Sequence, residues 1–173
     1  MNQQVSKSII VKRVTSLDWQ EYKKIRLEAL KKEPQAFGSS YAKEKVRSEN
    51  EWKDKLVKSE NSNSLSFYYA VSKENKFVAI GGAYQDANKQ WNIIAIYTKK
   101  EFRGQGLGQK IFQSIIDEIK SRKIKKVYLC VNVSQTAAQE LYKKNGFRNT
   151  QIIKNQILGD GKCYDEVEMV IDL

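Results

Sequence analysis

Arg103-Gly104-Gln105-Gly106-Leu107-Gly108 is the stretch whose reading decides the fold. An apolar, β-rich run, Trp91 to Thr98, precedes it, and an amphipathic helical pattern, Leu107 to Lys120, follows it. A glycine-rich turn between a strand and a helix lets backbone N–H groups converge on an anion. Glycine permits close approach, and the helix N-terminus adds its dipole. The stretch therefore reads as the holder of the pyrophosphate of a nucleotide-derived cofactor.

Working outward, Leu107, Ile111, Ile115 and Ile119 recur every fourth residue with Phe112 and Ile116 beside them, a core-facing helical stripe. Val127 to Val131 is short and continuously apolar, as expected of a central strand covered on both faces, with Cys130 in it as a buried small hydrophobe. Ser134 is placed to cap the next helix, which carries Ala138, Leu141 and Tyr142 on one side and stops at Asn145-Gly146. Phe147 to Ile153 and Lys162 to Ile171 read as the last two strands. Upstream, residues 9–14 read as a strand. Ser16 or Asp18, with Glu21 beyond, opens a helix whose stripe is Tyr22, Ile25, Ala29 and Leu30. The only proline, Pro34, follows it, and Gln35 to Ser40 reads as a loop. Ser48 and Glu51 form a capping box opening a helix through about Val57. Phe67–Val71 and Phe77–Tyr84 read as a hairpin around Ser72–Lys76. The order β-α-α-β-β-β-α-β-α-β-β implies an α/β fold, a mixed sheet with helices on its faces. With 173 residues and no composition break, the chain reads as one domain, 1–173.

Composition narrows the chemistry. The chain has no histidine, which excludes histidine triads and histidine metal sites, and its two cysteines are too few and too far apart for structural zinc. No metal is expected. No apolar run approaches the ~20 residues of a membrane span, and Met1 to Ser8 is polar with no secretory h-region, so a cytoplasmic protein is expected. The net charge of +11 favours anionic partners, but the lysines are scattered among glutamates along helices, the pattern of a solvated face. No clustered arginine-aromatic stripe suggests a nucleic-acid surface.

Three phosphate-binding readings compete for the turn. A P-loop needs Gly-x-x-x-x-Gly-Lys followed by Ser or Thr, and the chain has none. A dinucleotide fingerprint needs Gly-x-Gly-x-x-Gly after an early strand, whereas the glycines here stand at 104, 106 and 108 behind three meandering strands. Arg-x-x-Gly-x-Gly, as Arg103, Gly106 and Gly108, remains.

With its leading strand Tyr97-Thr98 and the downstream segment Ala137-Ala138-Gln139-Glu140-Leu141-Tyr142…Gly146-Phe147, the chain resembles the GNAT superfamily of N-acetyltransferases. Pro34 to Ser40 is similar to the substrate-side loop of many members. The resemblance implies a GNAT-like fold: a central, mostly antiparallel sheet of six or seven strands with one splayed parallel pair and about four helices. It implies acetyl-CoA as cofactor and direct attack by a primary amine, of a small molecule or a protein, on the acetyl thioester. Cofactor binding falls to Ile96, Tyr97, Thr98, Arg103, Gly104, Gln105, Gly106, Leu107 and Gly108, with Gln135, Ala138 and Tyr142 from the second segment. Many members carry an asparagine where Gln135 stands, and the glutamine keeps the amide on a longer arm. Tyr142 is the expected acid for the departing thiolate. The base stays open among Glu28, Asp165, Glu166 and a relay of waters. Phe37, Gly38 and Ser39 are expected on the substrate side. Many relatives dimerise, so a homodimer is possible, but the sequence leaves the oligomeric state open. The competing reading is a basic ribosome- or nucleic-acid-binding module on the same fold, without catalysis.

Overall fold

The computed structural model describes residues 9–61 and 63–173; the Met1–Ser8 reading lies outside the described residues, as does Ser62. Its strands are β1 (Ile9–Arg13), β2 (Ser66–Lys73), β3 (Lys76–Gln85), β4 (Trp91–Thr98), β5 (Lys126–Asn132), β6 (Arg148–Ile157) and β7 (Cys163–Asp172). Its helices are α1 (Trp19–Lys32), α2 (Tyr41–Lys45), α3 (Glu49–Glu60), α4 (Leu107–Ser121) and α5 (Thr136–Lys144). The strands form one sheet in the order β1-β2-β3-β4-β5-β7-β6. Every pairing is antiparallel except β4 with β5. The mixed sheet expected from the element order is therefore present, with a single parallel pair. No helix among the described residues is long and apolar enough to cross a membrane.

Local chemistry accounts for most boundaries. β2 and β3 are joined through Glu74 and Asn75, both at positive φ (51° and 61°), the turn geometry that matches strand twist. Ser48 and Glu51 do form a reciprocal box at the start of α3, with the Ser48 amide donating to Glu51 Oε2 at 2.7 Å. At α1 the box is made instead by Thr15 and Asp18, not by Ser16 or by Asp18 with Glu21. Glu21 is used elsewhere, accepting from the Phe77 amide at 3.3 Å and tying α1 to β3. The reading also missed α2, whose cap is Ser40 accepting from the Lys43 amide.

Two cores sit on opposite faces of the sheet. The α4 stripe packs on Phe67, Val127, Leu129 and Met169. On the other face, α1 and α3 bring Tyr22, Ile25, Leu30, Trp52 and Leu56 against Tyr68, Ile80 and Tyr97. β3 crosses between both cores and is buried from Phe77 to Ala83. β5 is not covered on both faces, contrary to the reading of its apolar run. Val127, Leu129 and Val131 are buried, but the alternate face is open and exposes Cys130.

Candidate active site

β4 and β5 pair only at Trp91–Val127 and Asn92–Tyr128 and then separate. Part of the divergence is built into β4. Its register with β3 passes from Ile80–Tyr97 to Gly82–Ile94, so Gly81 faces both Ala95 and Ile96, and Ala95 sits at φ 60°. An extra residue on one strand bends it and takes backbone groups out of the ladder. A cavity of about 1200 Å³ opens where the strands part.

One end of the cavity is the glycine turn. Gly104 (φ 75°) and Gly106 (φ 72°) turn the chain through the left-handed region, where a side chain would be strained, and Gly106 is the residue before α4. The first bond into the helix is Lys110 N–H to the Gly106 carbonyl, at 3.1 Å. No backbone N–H from Gly104 to Gln109 has an acceptor among the described residues. Unfilled donors at the positive end of a 15-residue helix form an anion cradle. The residues present thus fit a pyrophosphate. Arg103 donates from Nε to the Thr98 carbonyl at 3.0 Å and pairs through its guanidinium with Glu33, at the start of the Pro34–Ser39 loop.

Tyr142 also lines the cavity; it is buried, with its ring 6.0 Å from Phe112 and 6.2 Å from Phe147. Burial pushes its phenol up to about 12, so it holds its proton throughout the neutral range. Ile96, Tyr97 and Thr98 line the wall opposite the second segment, from which Gln135 and Ala138 also contribute. Ser134 does not cap α5. Its amide and hydroxyl both donate to Asn132 Oδ1, at 2.9 and 2.8 Å, and Gln135 is the residue before the helix.

Phe37, Gly38 and Ser39 line the cavity too, with Tyr68 and Tyr84. Two long-range ties hold this loop. Buried Asn132 donates from Nδ2 to the Gln35 carbonyl at 3.2 Å. Gly159, between β6 and β7, donates its N–H to the Phe37 carbonyl at 2.7 Å and to the Pro34 carbonyl at 3.1 Å. A Cβ on Gly159 would stand 2.9 Å from the Pro34 oxygen and closer still to that of Ser39, so only glycine permits this packing.

A family model described as the acetyltransferase (GNAT) family matches residues 19–147. The chain belongs to the GNAT family. A Bacillus subtilis protein, named as a candidate ribosomal protein bS18-alanine N-acetyltransferase, is 32% identical over 103 residues, which are 58% of this chain and 66% of that relative's length. A GNAT acetyltransferase from Streptococcus pneumoniae superposes with a TM-score of 0.80 at 19% identity, over 96% of this chain and all of that one. A candidate acetyltransferase from Salmonella typhimurium, solved with its cofactor acetyl-CoA, superposes at 0.81 with 13% identity, over 96% and 94% of the two chains. These structural likenesses carry the fold, and acetyl-CoA is the cofactor of the family.

Of the cofactor, substrate and acid–base residues that the GNAT resemblance singled out, all line this one cavity except Gln105, Glu28 and Asp165. Glu28 lies on α1, where it accepts from the Tyr97 hydroxyl at 3.1 Å and pairs with Lys32 at 3.0 Å and Lys99 at 3.3 Å. Burial works against the charge, but the bonds from Lys32, Lys99 and Tyr97 hold the Glu28 carboxyl below its usual value. Asp165 is held down by Lys154 at 2.6 Å and the Asn155 amide. Glu166 lines the cavity, and burial raises its carboxyl. Cys130, open to the cavity beside Glu166, is pushed up to about 11 by its surroundings and by the Glu166 and Glu168 charges, which leaves it an unreactive thiol. Asn132, Gly159 and Glu33 were not foreseen. Only Asn132 left a local trace, as an Asx turn into Ser134 at the end of an apolar strand.

Proposed function

We propose that this GNAT chain transfers the acetyl group of acetyl-CoA to the α-amine of a protein N-terminus. The observation that carries the reading is one cavity lined together by an unfilled N–H cradle, the Tyr142 phenol and the tied loop of Phe37 to Ser39. Acetyl-CoA, when bound, supplies an acetyl thioester open to attack by a neutral amine. The N–H groups of Gly104 to Gln109 take the pyrophosphate, and Arg103 adds charge when it leaves Glu33. The bulge at Ala95 presents backbone groups to the reacting carbonyl. Tyr142 donates a hydrogen bond to the leaving sulfur. Its raised phenol is a weaker acid than a thiol near ~8.5, so donation, rather than full proton transfer, is its role.

The choice of an α-amine follows from the proton cost. A lysine or polyamine ammonium near ~10.4 must be stripped of its proton at about 3 kcal/mol more than an α-amine near ~8. A chain with no histidine must meet that cost with a carboxylate or water, both far weaker bases than a lysine amine, so the less basic acceptor is favoured. The name of the Bacillus subtilis relative points the same way, and a +11 charge suits approach to an anionic ribosomal particle. A cytoplasmic location and the whole of 1–173 as a single catalytic domain belong to the same reading. Purified protein is assayed with acetyl-CoA against a peptide beginning with alanine, an internal-lysine peptide with a blocked N-terminus, and spermidine. The first should be acetylated fastest. Faster acetylation of spermidine or of the lysine peptide would overturn the α-amine, and heatless titration with acetyl-CoA would overturn the enzyme.

A further inference from the structure

Charge is scarce in the cavity. Its only charged lining residues among the described residues are Glu33, Arg103 and Glu166. Glu33 and Arg103 neutralise each other near the cofactor turn. Glu166 therefore stands as the one unpaired charge, at the acceptor end. No ion pair or hydrogen bond engages its carboxylate among the described residues, whereas Glu28, Glu33 and Asp165 each have a cationic partner and Glu168 accepts from Thr150 at 2.5 Å. Register places Glu166 opposite Asn132 and next to the Cys130–Glu168 pair on the open face of β5 and β7.

We propose that Glu166 recognises the acceptor's ammonium, accepts its proton, and makes the site select amines that carry no neighbouring carboxylate, as in a polypeptide N-terminus, over free amino acids. The inference deepens the acetyltransfer reading and rests on it. A half-buried, unpaired carboxylate is left undersolvated and gains most from a cation. An ammonium docking there completes the pair. The α-carboxylate of a free amino acid would enter the same space, where the one lining cation among the described residues, Arg103, is already paired with Glu33. In a peptide that group is a neutral amide, which brings no second charge to desolvate beside Glu166.

The proton then passes from the ammonium nitrogen to a Glu166 oxygen. The freed lone pair forms the C–N bond as the C–S bond breaks. The second amine proton leaves with the sulfur as thiol, and Glu166 returns its proton to water. Burial raises the Glu166 carboxyl, which brings it nearer to the amine it serves. The groups around it are Cys130 from β5, Tyr84 from β3, Glu168 and Asp165 from β7, and Lys154 from β6, the last held by Asp165. None of them supplies a free cation.

The test pairs binding with turnover. Calorimetry measures alaninamide and alanine on wild type and on Glu166→Gln, each saturated with coenzyme A, and acetylation of both amines is followed from pH 6 to 9.5. Wild type should bind and acetylate alaninamide at least tenfold better than alanine. Glu166→Gln should bind alaninamide about tenfold more weakly, lose most of that preference, and recover rate only as pH approaches the amine's own range. Its acetyl-CoA affinity and melting temperature should match wild type. Unchanged alaninamide binding and preference in Glu166→Gln would overturn the proposal. Amine binding that depends on Glu166 without any acetylation would instead overturn the acetyltransfer reading and leave the recognition standing.

Discussion

Asn132, at the last position of β5, reaches 97 residues back along the chain to donate its Nδ2 to the Gln35 carbonyl at 3.2 Å. It is 1% exposed, and its Oδ1 is filled by the amide and hydroxyl of Ser134. One amide thus fixes the acceptor-side loop and the turn into α5 against the same strand end. Replacing Asn132 by leucine strands the Gln35 carbonyl and the Ser134 donors. The expected cost is about 1–3 kcal/mol, read by denaturant unfolding, with KM for the acceptor rising more than the Kd for acetyl-CoA.

Gly159→Ala tests the second tie. The added Cβ meets backbone oxygens of Pro34, Phe37 and Ser39, which cannot swing aside as a side chain would. The hairpin must withdraw from the loop. A several-fold rise in acceptor KM with acetyl-CoA affinity retained is expected. Identical kinetics would mean that the loop is held without it.

Tyr142→Phe keeps the packing against Phe112 and Phe147 and removes the hydroxyl. We expect kcat to fall at least tenfold, with calorimetric acetyl-CoA affinity within twofold of wild type. The phenol is raised to about 12 by burial, so its donor form is full below that value and is lost only as pH rises through it. No alkaline limb between pH 8 and 10 should therefore vanish in the variant.

The Arg103–Glu33 pair is partly exposed, and its loss should change stability by less than about 1 kcal/mol. Its weight lies in binding. Arg103→Ala should weaken acetyl-CoA and flatten the salt dependence of its Kd, whereas Glu33→Gln, which frees the guanidinium for phosphate, should tighten it. Equal effects of both variants would show that the pair does not compete with the cofactor.

Lys55 offers a prediction on stability alone. Its ammonium lies 5.3–5.8 Å from the ring centres of Tyr22, Trp52 and Tyr68, and no salt bridge serves it among the described residues. Burial, and then the Arg26 charge, lower it to about 8. Between that value and about 10.5 the unfolded chain holds a proton that the folded chain has shed, so stability rises with pH across this window. Below it both states are charged and the burial cost is present in full. Lys55→Met should add about 1–3 kcal/mol at pH 7 and remove the rise, as measured by melting at pH 7 and 10.

What the sequence alone determined is what depends on near neighbours. The α4 stripe, the glycine turn, the capping box at Ser48 and the Asn145-Gly146 stop are each set within a few residues, because helices and turns close their hydrogen bonds locally. With Leu141-Tyr142…Gly146-Phe147 at its spacing, these pieces also carried the family. Only the tertiary structure decided which face of β5 is bare, since an apolar run reads alike whether one or both faces are covered. It likewise gave three carboxylates different surroundings. Glu28, Asp165 and Glu166 are equivalent as letters, but Lys32 and Lys99 engage the first, Lys154 engages the second, and the parting of β4 from β5 leaves the third facing the cavity without a partner. Partners brought from distant strands set a carboxylate's charge and basicity, so the glycine turn was legible in the chain and the acceptor end was not.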